Sequence, residues 1–274
     1  MWRVRRGWKA LSGLSSILLE AVVYPRGRPI EPTEEDLAQQ EAAQTALKVV
    51  QFARKMLREG REASPEQRRM ALQSVVKICV QQFQAERMAE VLVRRHADAQ
   101  DSDPFEALLR SHSHLDPHVR ALRDLILERR GEAVVRLANG LTITAPWHTD
   151  RLSRALLRHG IDWGRSRSSF HWQQQLDQSG MVYLPWGIYC VGNGNHSAAS
   201  GMFWGDGELR TTSIDDWTPV LERVRLTKKG LVEVEDPERV VLASAFWPIL
   251  ALIGLGPLLI EQGGTYTAQV HPED

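Results

Sequence analysis

The stretch Gly192-Asn193-Gly194-Asn195-His196-Ser197-Ala198-Ala199-Ser200-Gly201 follows the apolar run Ile188-Tyr189-Cys190-Val191. A strand that feeds glycines and then a small-residue helix leaves backbone N–H groups unpaired at the helix start. Those groups and the helix dipole attract phosphate or carboxylate. Gly192 and Gly194 let the backbone come close to a ligand. Either Asn195 or Ser197 can cap the helix while the other donates to the ligand. His196 can donate a hydrogen bond to phosphate or transfer a proton. No Gly-Lys-Ser/Thr follows, so this is not a Walker loop, and it is not the dinucleotide fingerprint. A plain strand-to-helix turn with a capping asparagine uses the same residue types, so the ligand role and the structural role both stay open here.

A second set lies upstream: Trp147, His148, Asp150, Arg151 and Arg154, at a strand end and the first turn of the next helix. Arg151 and Arg154 are three apart, hence on one helix face, and can reach one phosphate together. A solvated basic helix face is the plainer explanation of that pair. Three further groups carry less. His112, His114 and His118 surround Asp116 in SHSHLDPH, but Pro117 breaks the helix that a metal pair would need. Asp215-Asp216 can hold Mg²⁺ beside a phosphate, or cap a turn. Trp163, Phe170, His171 and Trp172 alternate with Arg165 and Arg167, as in base-stacking surfaces, lids or ordinary core. No Ser/His/Asp or Cys/His triad can be assigned from spacing.

The first half of the chain that positions these groups reads as helical. Thr33 and three acids open a helix over 33–59, with Leu37, Leu47, Val50, Ala53 and Leu57 on its apolar side. Ser64-Pro65-Glu66-Gln67 is a capping box opening a helix over 64–95, whose apolar side holds Val75, Ile78, Cys79, Phe83, Met88 and Val91. Asp103-Pro104 and Asp116-Pro117 start shorter helices at about 105–112 and 117–130. An antiparallel helical bundle is expected here. At Gly131 the pattern changes. AVVRL and LTITA around Asn139-Gly140 read as a hairpin. A helix follows from Thr149 to Gly160, then a strand at 181–191 and a small helix at 196–203. Strands near 207–213 and 221–235 and a helix at 240–253 complete the chain. The expectation is an α+β protein: a helical domain over 1–130, then a mixed domain over 131–274.

The bulk numbers set the class. The chain has 274 residues, 43% hydrophobic and 25% charged, which suits a globular protein with a real core. Lys+Arg and Asp+Glu are both 34, so net charge favours neither nucleic acid nor membrane. Arg3, Arg5, Arg6, Lys9, Arg26 and Arg28 nonetheless make the first 30 residues basic, a surface that DNA could use. The same stretch has no convincing cleavage pattern and reads as an amphipathic helix packed on the body. Cys79 and Cys190 lack metal spacing and read as buried free thiols of a reducing, cytoplasmic setting. The run at 240–260 is just long enough to span a bilayer, but Pro248, Gly254, Gly256 and Pro257 interrupt it. A core helix is expected and a membrane partner is not.

Taken together, the two sets resemble the ParB/sulfiredoxin-like superfamily, and most closely an uncharacterised bacterial ParB-like family. The matching residues are Pro146, Trp147, Arg151 and Leu152, then Gly194, Asn195, His196, Ser197, Ala198, Ala199 and Gly201. The likeness covers about 131–260 and leaves the helical half without a counterpart. It implies a ParB/sulfiredoxin-like fold with a nucleotide or phosphate pocket between the two motifs. The expected ligand is a nucleoside triphosphate with Mg²⁺, contacted by Gly192, Gly194, Asn195, Ser197, Trp147, Arg151 and Arg154. His196 and Asn195 are the candidate catalytic residues for nucleotide hydrolysis, phosphotransfer or nuclease action in a DNA-maintenance, mobile-element or defence system. Asn195 stands where sulfiredoxin has its cysteine, so thiol chemistry is not expected. Ser197 replaces the following arginine, and Arg151, Arg154 or Arg165 would have to substitute. The alternative is a non-catalytic module that binds DNA through its basic amino terminus, or a protein partner or second copy through its helical half.

Overall fold

A computed structural model describes residues 33–94, 105, 117–165, 172–242, 246–263 and 270–271. The basic stretch at 1–30, the helix expected at 105–112 apart from Phe105, and His112, His114, Asp116, Arg167, Phe170 and His171 lie outside the described residues, as do the side chains of Trp163 and Arg165.

Helices α1 (Glu34–Glu59) and α2 (Pro65–Arg94) begin with reciprocal caps. Thr33 Oγ1 accepts from Asp36 N–H at 3.1 Å while the Asp36 carboxylate accepts from Thr33 N–H at 2.9 Å. Ser64 and Gln67 repeat the arrangement at the start of α2. Then come α3 (Pro117–Arg123), β1 (Leu127–Arg136), a 3-10 turn (Leu137–Asn139), β2 (Thr142–Ile143), α4 (Thr149–Arg165), β3 (Ser179–Leu184) and β4 (Ile188–Asn193). The chain continues with α5 (Asn195–Trp204), β5 (Glu208–Asp216), α6 (Thr218–Arg223), β6 (Val224–Thr227), β7 (Gly230–Glu233), β8 (Val240–Leu242), α7 (Trp247–Glu261) and β9 (Val270–His271). A six-stranded mixed sheet has the order β2-β4-β3-β5-β1-β9, and β6-β7-β8 form a second, antiparallel sheet. The protein is α+β.

Several local expectations change. Asn139-Gly140 does not close a hairpin. β1 pairs with β5 and β2 pairs in parallel with β4, so the turn sends the chain across the sheet. Gly140 is left-handed (φ 66°) as a hairpin glycine would be, so the dipeptide alone could not distinguish the two. The single strand expected at 181–191 is two, β3 and β4, joined at Pro185-Trp186-Gly187 through a cis Leu184–Pro185 peptide. Both strands are buried in mid-sheet, so no polar residue marks the turn. Leu127–Arg130 continue no helix; they pair with Ser213–Asp216 of β5, tertiary pairing overriding local preference. The strand expected at 221–235 is α6 followed by the β6–β7 hairpin. Gly160 does not stop α4: it faces Trp204 of α5, where a Cβ would sit 3.5 Å from the indole.

The apolar run at 240–260 splits into β8 and α7. α7 is apolar all round because α1, α2, α6 and β6 enclose it; Leu250, Ala251, Leu252 and Leu255 are fully buried. Its glycines are contact points, not breaks. A Cβ on Gly254 would lie 2.7 Å from Val50 Cγ2, and one on Gly256 2.5 Å from Leu221 Cδ1. Trp186 Nε1 donates to Leu252 O at 2.6 Å, next to the carbonyl that Pro257 leaves without its helical partner. Among the described residues no helix is long and apolar enough to cross a membrane. α1 packs mainly on α7 through Ala42, Ala43, Ala46, Val50 and Ala53, and only lightly on α2. Leu37 and Ile78, expected on apolar faces, are exposed. Residue 131 falls inside β1, and one apolar cluster joins Val50, Cys79 and Val80 to Ile143, Ile188 and Leu255. Both cysteines are free and buried, and burial pushes the Cys79 thiol up to about 12.

Candidate functional site

The loop after β2 carries Pro146-Trp147-His148, and side chains from two other elements fix it. Gln84, on the buried face of α2, donates to Thr144 Oγ1 and accepts from Thr144 N–H, both at 2.8 Å. One residue later, Ala145 N–H donates to Asn195 Oδ1 at 2.6 Å. Thr149 Oγ1 donates to Val91 O at 2.8 Å, tying the start of α4 to the end of α2. The backbone N–H groups of consecutive loop residues therefore find acceptors in a polar side chain each, as buried backbone requires.

This loop meets the glycine stretch through one bond. His148 N–H donates to His196 Nε2 at 3.1 Å. An acceptor Nε2 must be unprotonated, so the neutral His196 ring carries its proton on Nδ1. His148 Nδ1 in turn accepts from Asp150 N–H at 3.2 Å and so caps α4. Trp147 lies edge-on to His196 at 5.4 Å between ring centroids, and the Arg151 guanidinium sits over the Trp147 ring at 4.7 Å. Arg154 Nε donates back to Asp150 O, which keeps that guanidinium beside the first turn of α4. The structure thus brings together Trp147, Arg151 and His196, from segments about 45 residues apart, while Arg154 contacts only its own helix at Asp150 O.

α4 and α5 run side by side in the same direction. His148 meets His196 at one end, Ala155 O accepts from Ser200 Oγ in the middle, and His159 stacks on Trp204 at the other. Both amino-terminal, partially positive helix ends therefore point the same way at the His148–His196 bond. No side chain caps the first turn of α5.

Other residues of the glycine stretch have structural partners. Asn195 is buried, and its Nδ2 donates to Gly192 O at 3.4 Å while Oδ1 holds Ala145. Gly194 is left-handed (φ 84°), and the space beside its Cα is filled by Gln178, whose Cγ a Cβ would overlap. Gly192 is exposed and has ordinary room beside it. Ser197 Oγ accepts from Trp172 Nε1 at 3.1 Å. Asp216, 1% exposed, spends Oδ1 on Thr218 N–H and pairs Oδ2 with Arg129 at 2.5 Å, the turn-capping role. Among the described residues no three His, Cys, Asp or Glu side chains are placed to hold a metal ion. The spacing pattern did not reveal Gln84; its one signal is a glutamine set between buried Val80, Phe83 and Met88.

A family model for a family of unknown function (DUF6710) matches residues 33–235. The chain belongs to this family. No curated protein and no solved structure gives a significant match. The DUF6710 match starts at the Thr33 cap of α1 and ends just past β7, so it takes in both motifs and the α2 residues that brace them.

Burial, with help from the Arg151 charge, lowers the pKa of His196 to about 4. The ring is therefore neutral at pH 7. An unfolded chain protonates it near 6.5, so between pH 6.5 and 4 the unfolded state binds more protons. Stability from this group is complete above 6.5 and is lost as pH falls through about 4. The ring is partly exposed, and solvent screening trims the effect to about 1–2 kcal/mol. Urea midpoints at pH 7.5 and 4.5 should fall further apart for the wild type than for His196→Gln, whose amide can accept from His148 without titrating. Equal pH slopes would show that His196 does not titrate as described.

Proposed function

We propose that the paired amino-terminal ends of α4 and α5 bind the phosphate groups of a nucleotide, with Arg151, Arg154 and the Nδ1–H of His196 as donors. The carrying observation is the parallel placement of the two helices, with their positive ends joined at the His148–His196 bond. Neutral His196 offers a donor, while its Nε2 is committed to the backbone, so proton abstraction through Nε2 is not part of the proposal. Asn195 positions the loop. Among the described residues no side-chain set would hold Mg²⁺; with a triphosphate, the ion would be carried by the ligand. This favours recognition over hydrolysis and keeps the resemblance to ParB-like domains at the level of ligand class.

Calorimetry with nucleoside triphosphates and with inorganic tripolyphosphate, each with and without Mg²⁺, tests it. Arg151→Ala should weaken binding about tenfold, the worth of one charge-assisted contact of about 1.4 kcal/mol. Asp150 is the acidic residue of the first turn of α4, and Asp150→Asn should tighten binding a few-fold by removing repulsion. No binding of any of these ligands to the folded protein would overturn the proposal.

A further inference from the structure

The α5 amino terminus has a second neighbour. Gly194 packs on Gln178 and Ser197 accepts from Trp172, and both of those residues line an open groove of about 820 Å³. That volume lies in the range of small-molecule clefts, roughly 300–1,000 Å³. Trp172 forms a fixed wall: its backbone N–H donates to Asp206 Oδ2 at 2.6 Å, and Gly207 (φ 95°) lies against its ring. The charges along the rim are matched, Arg136 with Glu208 and Arg210 with Glu132 and Glu208. What the groove offers is therefore neutral and amide-rich. Gln174 is spent on the backbone of Arg210, while Gln173 and Gln175 are exposed. Gln178 is 7% exposed; its Oε1 accepts from Gln175 N–H at 2.9 Å, and its Nε2 finds no acceptor among the described residues. An amide held this rigidly, with its donor unused at a groove wall, is set to meet an acceptor from outside.

We infer that this groove is a nucleoside subsite, in which the Gln178 amide donates to an acceptor on the base or ribose of a nucleotide whose phosphates lie at the α4 and α5 amino termini. The inference rests on the phosphate reading above. A neutral, aromatic-walled groove suits an uncharged heterocycle or sugar, and the adjoining helix ends suit the phosphates; one molecule spans both across the first turn of α5. Gln178 is a binding residue here.

Calorimetry separates the two parts. The wild type should bind at least one nucleoside triphosphate about tenfold or more tighter than inorganic tripolyphosphate. Gln178→Met keeps the chain length packed on Gly194 but removes the donor, along with the acceptor for Gln175 N–H. It should cancel most of that preference and leave tripolyphosphate affinity unchanged, which also certifies its fold. Equal wild-type affinity for the nucleotides and tripolyphosphate would overturn the subsite while sparing the phosphate site. Binding of neither would remove the phosphate site and the subsite with it. An unchanged preference in Gln178→Met would likewise overturn the role of Gln178. Should that variant fail to fold, the wild-type comparison still decides.

Discussion

Asn195→Ala will destabilise the folded protein by about 1–3 kcal/mol, read as a lowered urea midpoint with an unchanged slope. The side chain is 7% exposed and ties three segments. Its Oδ1 holds the Ala145 N–H, its Nδ2 holds Gly192 O, and its own backbone opens α5. Truncation leaves the buried Ala145 N–H without a partner, which costs about 1–3 kcal/mol, while Gly192 O, on an exposed residue, turns to water. Relaxation of the loop toward solvent recovers part of that. The same variant frees Pro146-Trp147-His148 to shift, so any affinity of the proposed site for phosphate should fall although Asn195 is not one of its donors. Asn195→Asp separates the two bonds: a carboxylate still accepts from Ala145 but confronts Gly192 O with a second acceptor. It should be destabilised at pH 7 and recover as the carboxyl protonates. A stability change under 0.5 kcal/mol in Asn195→Ala would show that Ala145 finds another acceptor and that Asn195 is not the clamp.

That dual role explains why Asn195 could be located but not assigned from sequence. The local signals were legible because they act over a few residues. The Thr33 and Ser64 caps, the strand-to-helix switch before His196, the α+β class and the identity of α7 as a core helix follow from neighbours along the chain. Signals that depend on a distant partner were not. Asn139-Gly140 satisfies a left-handed turn whether or not a hairpin closes around it. Pro185-Trp186-Gly187 disappears within an apolar run because both flanking strands lie in mid-sheet. Gly160, Gly254 and Gly256 read as helix breakers because their value lies in what they touch: Trp204, Val50 and Leu221. The two motifs were both visible, but their convergence depends on the His148–His196 bond, which spans 48 residues. Gln84, which braces the Trp147 loop from α2, belongs to no motif; its contact with Thr144 spans 60 residues.

Gly194 carries the second large effect. Gly194→Ala should cost about 3 kcal/mol, from two sources that a double-mutant cycle can separate. The φ of 84° lies in the left-handed region, where a Cβ costs roughly 1–2 kcal/mol. That part is intrinsic to the backbone and no neighbour can relieve it. The rest is steric. The new Cβ overlaps Gln178 Cγ, and moving Gln178 breaks the bond from Gln175 N–H to its Oε1. In a Gln178→Ala background that second part has nothing left to displace, so Gly194→Ala should cost only about 1–2 kcal/mol there, a coupling of about 1–2 kcal/mol between the residues. Additive effects would mean that Gln178 yields freely and that the contact is loose. The distinction bears on the ligand site. A glycine kept open for a ligand would gain room from loss of Gln178, and its substitution would lower affinity more than stability. A glycine filled by Gln178 does the reverse: it sets the position of the amide at the groove wall, and stability falls first. The geometry supports the second case: Gly194 holds Gln178 in place, and in the proposed site it would act through that amide and not by lending its own backbone to phosphate.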